Sequence, residues 1–344
     1  MKTIYSEAQV LHDPQGEINR GVIGQPYEAP VRVLNVIEAV RQAGLGPVDA
    51  PDDFGLAPIA RVHDRAYLSF LEGAHAEWVA LGRPGDAIPL ASPIRSFRSD
   101  RVPASLDGRL SYYSFDISTP ITPGSWVNAR ASANVALTGA RAVLEGKERA
   151  AFSLCRPPGH HAGADFYGGY CFVNNAAIAA QYLRDNGAAR VAILDVDYHH
   201  GNGTQAIFYD RADVSYVSIH ADPSSDFPYF LGYADETGAG AGEGCNYNLP
   251  LPRGIGWEVY EETLEAALRA VASLRPDALV VSLGVDTFDG DPLSGFRLAT
   301  PDFARLGRRI AATGLPALLV FEGGYALDAL GANIVSFLTG YEGG

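Results

Sequence analysis

Cysteine is scarce in this sequence. Cys155, Cys171 and Cys245 are the only three, and no C-x-x-C spacing joins any two of them. An odd, scattered set excludes a disulfide framework and a cysteine zinc finger, and it points to a reducing compartment, the cytoplasm. Basic residues are also few. Lys and Arg number 26 against 40 Asp and Glu, for a formal net charge of −14. Such a surface repels phosphate backbones, so nucleic acid is not an expected partner. Long apolar runs are absent as well. The opening MKTIYSEAQV has no stretch suited to a signal peptide. No window approaches the roughly 20 apolar residues of a membrane span.

What is present is an alternation of short β-rich runs with helical patterns. Strands are expected at 3–6, 150–154, 190–196, 214–219, 277–283 and 317–322. Helices are expected at 31–44, 174–187 and 257–274, where apolar residues recur at helical spacing and Gly44 and Gly187 mark ends. This alternation predicts an α/β fold with a parallel sheet covered on both faces. We read residues 1–344 as one domain. A proline-rich segment at about 82–128 breaks the pattern and reads as a long structureless insert, which in a compact domain is usually functional or an interface.

The strand at 190–196 runs into LDVDYHHGNGT. If it stays extended to His199, then Asp195, Asp197 and His199 share one face. Asp286 closes another strand, in SLGVDTF. Ligands of open parallel sheets bind at the carboxyl ends of strands. Two carboxylates and one imidazole suit Zn²⁺, Fe²⁺ or Co²⁺ better than Ca²⁺, and three protein ligands leave a position for water. In RPPGHH, two prolines stiffen the approach to His160 and His161, which can serve as base and acid. In FEGGY, Tyr325 follows two glycines and can donate to a developing oxyanion. Arg156 has two readings, a channel lining or a partner for a buried carboxylate.

Together RPPGHHA, GGYCFVNNAAIAA, ILDVDYHHGNGTQ, VSIH, SLGVDTF and EGGY resemble the zinc-dependent histone deacetylase and acetylpolyamine amidohydrolase superfamily. The insert's DGRLSYYSFD and the later DFPYFLGYADETG are most similar to the bacterial acetylpolyamine enzymes. The resemblance implies a single arginase-like α/β domain with a mostly parallel eight-stranded sheet and helices on both faces. It implies hydrolysis of the acetamide of a small cationic acetylated amine. It makes Asp197, His199 and Asp286 ligands of one Zn²⁺, with Fe²⁺ or Co²⁺ as alternatives. His161 becomes the base, partnered by Asn202, and His160 its electrostatic neighbour, oriented by Asp195. Tyr325 becomes the oxyanion donor. Asp195 and Ser218 match a site for a structural K⁺ or Na⁺. Tyr170 and Phe227 match the aromatic walls around the substrate stem. Asp107 and Asp116 are candidates for recognising the distal amine, Asp107 the better placed. The insert at 82–128 is expected at the site rim and in a homodimer interface. The alternatives are a peptide acetyl-lysine deacetylase and a non-catalytic binder of polyamines or acyl ligands. Arginase-like chemistry would need a second metal-ligand set, which the sequence does not display.

Overall fold

The structure is a computed structural model that describes residues 1–19, 21–92 and 96–344. Its strands are β1 (Lys2–Ile4), β2 (Glu17–Asn19), β3 (Val22–Gly24), β4 (Val48–Asp49) and β5 (Ala150–Ser153), followed by β6 (Val191–Asp195), β7 (Val214–Ala221), β8 (Asn246–Leu251), β9 (Ala278–Leu283) and β10 (Ala317–Phe321). Among the described residues, β2 and β3 form a small antiparallel hairpin and the other eight form one sheet, in the order β4-β1-β5-β10-β9-β6-β7-β8. Every pairing in that sheet is parallel. The six expected strands are all present. The two that the sequence reading missed, β4 and β8, are the edges.

Alternation along each strand builds two separate cores. Leu194, Val217, Val281 and Leu319 enter one face, with Leu264, Phe303 and Ile334 of the covering helices. Ile193, Tyr216, Val280 and Leu318 enter the other, with Val135, Ala140 and Ala180. This is the two-faced burial that a parallel sheet requires.

The proline-rich segment is not structureless. It contains the helix Leu106–Tyr113, capped by Ser105, and the long helix Ser125–Leu144 begins within it. Leu106, Leu110 and Tyr113 pack with Tyr67 and Phe70 of the helix Arg65–Ala80 in a third core. Flanking prolines and an Asp-Gly pair hid a short amphipathic helix that needs this tertiary contact to form. Residues 93–95 of the segment lie outside the described residues.

Candidate active site

Four adjacent strands of the sheet centre, β5, β10, β9 and β6, deliver the candidate residues from their carboxyl ends. The loop after β6 departs from the sequence expectation. β6 stops at Asp195, so Asp197 and His199 are not on a strand. Carboxylates replace the sheet ladder there. Asp195 Oδ1 accepts the Asp197 N–H at 3.2 Å, and Asp286 Oδ1 accepts the Tyr198 N–H at 2.9 Å. Asp197 Oδ1 accepts the His199 N–H at 2.9 Å, and its Oδ2 accepts the Gly323 N–H at 2.8 Å.

One ligand atom from each of Asp197, His199 and Asp286 lies within 4.8 Å of the others. His199 Nδ1 is 3.0 Å from Asp286 Oδ2 and 3.4 Å from Asp197 Oδ1. Both aspartates are fully buried. Burial and then Asp197 push Asp286 up to about 7. Burial alone would raise Asp197 too, but the nearby His160 and His199 hold it below the usual carboxylate range. The backbone is shaped around this cluster. A Cβ on Gly323 would stand 2.5 Å from an oxygen of each aspartate, and one on Gly284 would overlap Asp197. Two buried carboxylates and an imidazole, converging with net negative charge, fit a divalent cation of the zinc, iron(II) or cobalt(II) kind.

The histidine pair lies beside this cluster, with ring centres 4.1 Å apart. His160 Nδ1 is 3.0 Å from Asp195 Oδ2, which also accepts the Tyr216 hydroxyl at 2.9 Å. Burial opposes charge on His160, but Asp197 and Asp195 outweigh it and raise its pKa to about 10. His161 is the opposite case. Burial, then His160 and His199, hold its pKa well below the usual histidine value. Its Nδ1 is 2.7 Å from Asn202 Oδ1. That oxygen can only accept, so the proton sits on Nδ1 and the Nε2 lone pair is free. Glu322 supports the loop from below. Its Oε2 accepts the N–H groups of Gly159 at 2.6 Å and His160 at 3.2 Å, and Ser282 donates to Oε1.

Tyr325 is buried, with the Arg32 guanidinium 4.5 Å over its ring. Burial raises its pKa far above that of a free phenol, so it stays protonated. The two expected aromatic walls each pack against a different part of the cluster. Tyr170 meets Tyr325 at 5.7 Å, and Phe227 meets His161 at 5.1 Å. Phe227 also stacks on Phe115 at 5.7 Å, a wall residue that the sequence reading did not single out. Ser218 is the cross-strand neighbour of Asp195, and its hydroxyl lies 2.7 Å from His220 Nδ1.

The two insert aspartates do not join the cluster as free acids. Asp107 is paired with Arg83, through Oδ2 at 2.7 Å, at the start of the insert helix. Asp116 accepts from the Gly169 N–H at 2.5 Å, from both Ser118 donors and from Thr119, so it fixes the backbone next to Tyr170. The acid that does reach the site wall is Glu17, on the hairpin, which accepts the Tyr170 hydroxyl at 2.6 Å. No local motif marked it. Arg156 takes the second of its two readings, with Nε 2.8 Å from the buried Glu28.

Comparison with known proteins places this geometry. The family model described as the histone deacetylase domain matches residues 26–341. Acetylpolyamine amidohydrolase 1 of Pseudomonas aeruginosa is 55% identical over 344 residues, covering 100% of this chain and 99% of its own. The acetylpolyamine amidohydrolase of Mycoplana ramosa is 49% identical over 343 residues, covering 100% of both. The crystal structure of an acetylpolyamine aminohydrolase from Burkholderia pseudomallei superposes with a TM-score of 0.94 at 45% identity, over 99% of this chain and 98% of that one.

Proposed function

This chain belongs to the histone deacetylase domain family, and from that premise we propose that it hydrolyses the acetamide of acetylated polyamines and diamines to acetate and free amine. One observation carries the reading. Relatives named for this activity match the chain from end to end at about half identity, and the solved structure of one acetylpolyamine aminohydrolase shares its fold at a TM-score of 0.94. Asp197, His199 and Asp286 are the proposed metal ligands. A divalent cation held there, which we propose to be zinc, supplies Lewis-acid polarisation of the acetyl carbonyl and acidifies water.

The chain's own groups do the rest. His161 Nε2, unprotonated through the neutral range, takes the proton of the attacking water. Tyr325, a protonated phenol, donates a hydrogen bond to the oxyanion of the tetrahedral intermediate. His160, kept cationic by Asp195 and Asp197, stabilises that negative charge, and the protonated His161 imidazole returns the proton to the departing amine. Phe227 and Tyr170 line the path of the methylene stem. Glu17, which accepts the Tyr170 hydroxyl, is a carboxyl group on that wall and suits a distal ammonium. Asp195 and Ser218 are proposed to flank a K⁺ or Na⁺ ion.

We propose further that the chain forms a homodimer through the insert, on which Leu90, Phe97 and Val102 are exposed. Its three unpaired cysteines suit the cytoplasm. Among the described residues, no helix is long and apolar enough to cross a membrane.

The test is kcat/KM of the zinc-loaded protein on N-acetylputrescine and on an acetyl-lysine peptide, side by side. A preference of about 100-fold or more for the small amine, some 2.7 kcal/mol, is expected. Equal or reversed preference would transfer the reading to peptide deacetylation. Metal binding without turnover on either would leave a ligand-binding protein.

A further inference from the structure

The segment from Glu322 to Ala326 is irregular backbone at the centre of the molecule, and each buried polar group there needs a partner. The Glu322 N–H goes to the Leu283 carbonyl, and the Gly323 N–H goes to Asp197. Arg32 donates to the carbonyls of Glu322 and Gly324, each at 2.7 Å. The N–H groups of Tyr325 and Ala326 both end on one oxygen, Asp291 Oδ2, at 2.6 and 3.1 Å. Asp291 is buried, and its other oxygen accepts the Leu293 N–H at 3.0 Å. Ala326 caps the helix Leu327–Glu342 with no side-chain hydrogen bond of its own. Asp291 thus supplies from a distant loop the carboxylate that a helix N-terminus favours.

Asp291 also stands five residues after Asp286 in the same chain segment. Its backbone N–H is tied to the Phe288 carbonyl at 3.1 Å, which makes a tight turn between the two aspartates. One end of this turn enters the metal cluster and the other grips the backbone of Tyr325.

We propose that Asp291 is a positioning residue for the oxyanion donor. By holding the Tyr325 N–H it fixes where the phenol stands relative to the Asp286 end of the metal cluster. The inference rests on the role assigned above to Tyr325 and deepens it. It also bounds the effect. Misplacing a donor cannot cost more than deleting it, so loss of Asp291 must cost less than loss of Tyr325.

The experiment is a double-mutant cycle on the metal-loaded enzyme. Asp291→Ala is expected to lower kcat by about 10- to 100-fold, with KM within about threefold and metal stoichiometry unchanged. Asp291→Asn keeps one accepting oxygen for the Tyr325 and Ala326 N–H groups and is expected to recover most of the rate. In a Tyr325→Phe background, Asp291→Ala should change kcat by no more than about threefold, because the group it positions is gone.

A native rate in Asp291→Ala, or a loss that multiplies with Tyr325→Phe, would overturn the inference. So would loss of bound metal in Asp291→Ala, which would trace the effect to Asp286. If Asp291→Ala does not fold, the smaller loss in Asp291→Asn must likewise vanish on Tyr325→Phe. A near-native rate in Tyr325→Phe alone would instead sink the mechanism on which this rests.

Discussion

Asn202 presents its amide oxygen to His161 Nδ1 at 2.7 Å, a place where a carboxylate would also fit. With His161 as the proposed base, the pair would set the acid limit of the reaction. The His161 pKa is held low by burial and by its histidine neighbours, so the free base persists as pH falls through the neutral range. Asn202→Asp adds negative charge at hydrogen-bond distance and raises that pKa. The acid limb of kcat/KM should move to higher pH by about one unit, with activity at pH 8 little changed. A pH–rate profile with an unmoved limb would remove His161 from the role of base.

Tyr325→Phe leaves the ring, its contact with Tyr170 and the Arg32 stacking in place and deletes only the hydroxyl. kcat should fall by about 10²–10³, the usual cost of one oxyanion donor. Bound metal, measured by elemental analysis, should not change.

Asp197 and Asp286 crowd two carboxylates into a buried space, and without a cation the second is pushed up to about 7. Chelation should abolish turnover, and reloading with zinc should restore it. At a metal concentration about 100 times the dissociation constant, the folded state should gain about 2.7 kcal/mol, visible as a rise in Tm. Asp286→Ala should lose both the metal and this gain. Turnover that survives exhaustive chelation would contradict the site.

Glu322 is a buried acid that holds the histidine loop through two backbone N–H groups. Glu322→Ala leaves both donors unpaired and should cost about 2–5 kcal/mol in denaturant unfolding. Glu322→Gln keeps an accepting oxygen, and its amide can donate to a rotated Ser282 hydroxyl, so it should cost less than about 1 kcal/mol. Equal costs would mean that the negative charge, not the hydrogen bonds, holds the loop.

The central strands were legible because parallel strands buried on both faces read as unbroken apolar runs, as in VAILDV and LVVSL. The edge strands were not. β4 has two residues, and β8, NYNLPL, alternates polar groups and holds Pro250. The site motifs were legible in residue type, but the condition that would place Asp195, Asp197 and His199 on one strand face, extension to His199, does not hold. Pairing of β6 runs out where Asp195 meets Ser218 and Ser282, and beyond it side chains take over the backbone hydrogen bonds. The surroundings of the distal acids were not legible, because they depend on distant partners. Asp107 is neutralised by Arg83, and Glu17 meets Tyr170 from 153 residues away.

β10 lies between β5 and β9, although both precede it in the chain. In chain order, then, the central slot of the sheet is the last to be filled, after the strands on both sides of it. The two edges that flank that slot belong to β5, AAFS, and β9, ALVVSL, and both lack a partner on that side until ALLVF lies between them. Tyr325 enters with that same segment. The strand that closes the slot and the proposed oxyanion donor therefore arrive together, with only the helix Leu327–Glu342 described after them. A chain that lacks this segment should therefore expose two central strand edges to aggregation, and the segment that covers them also completes the proposed site.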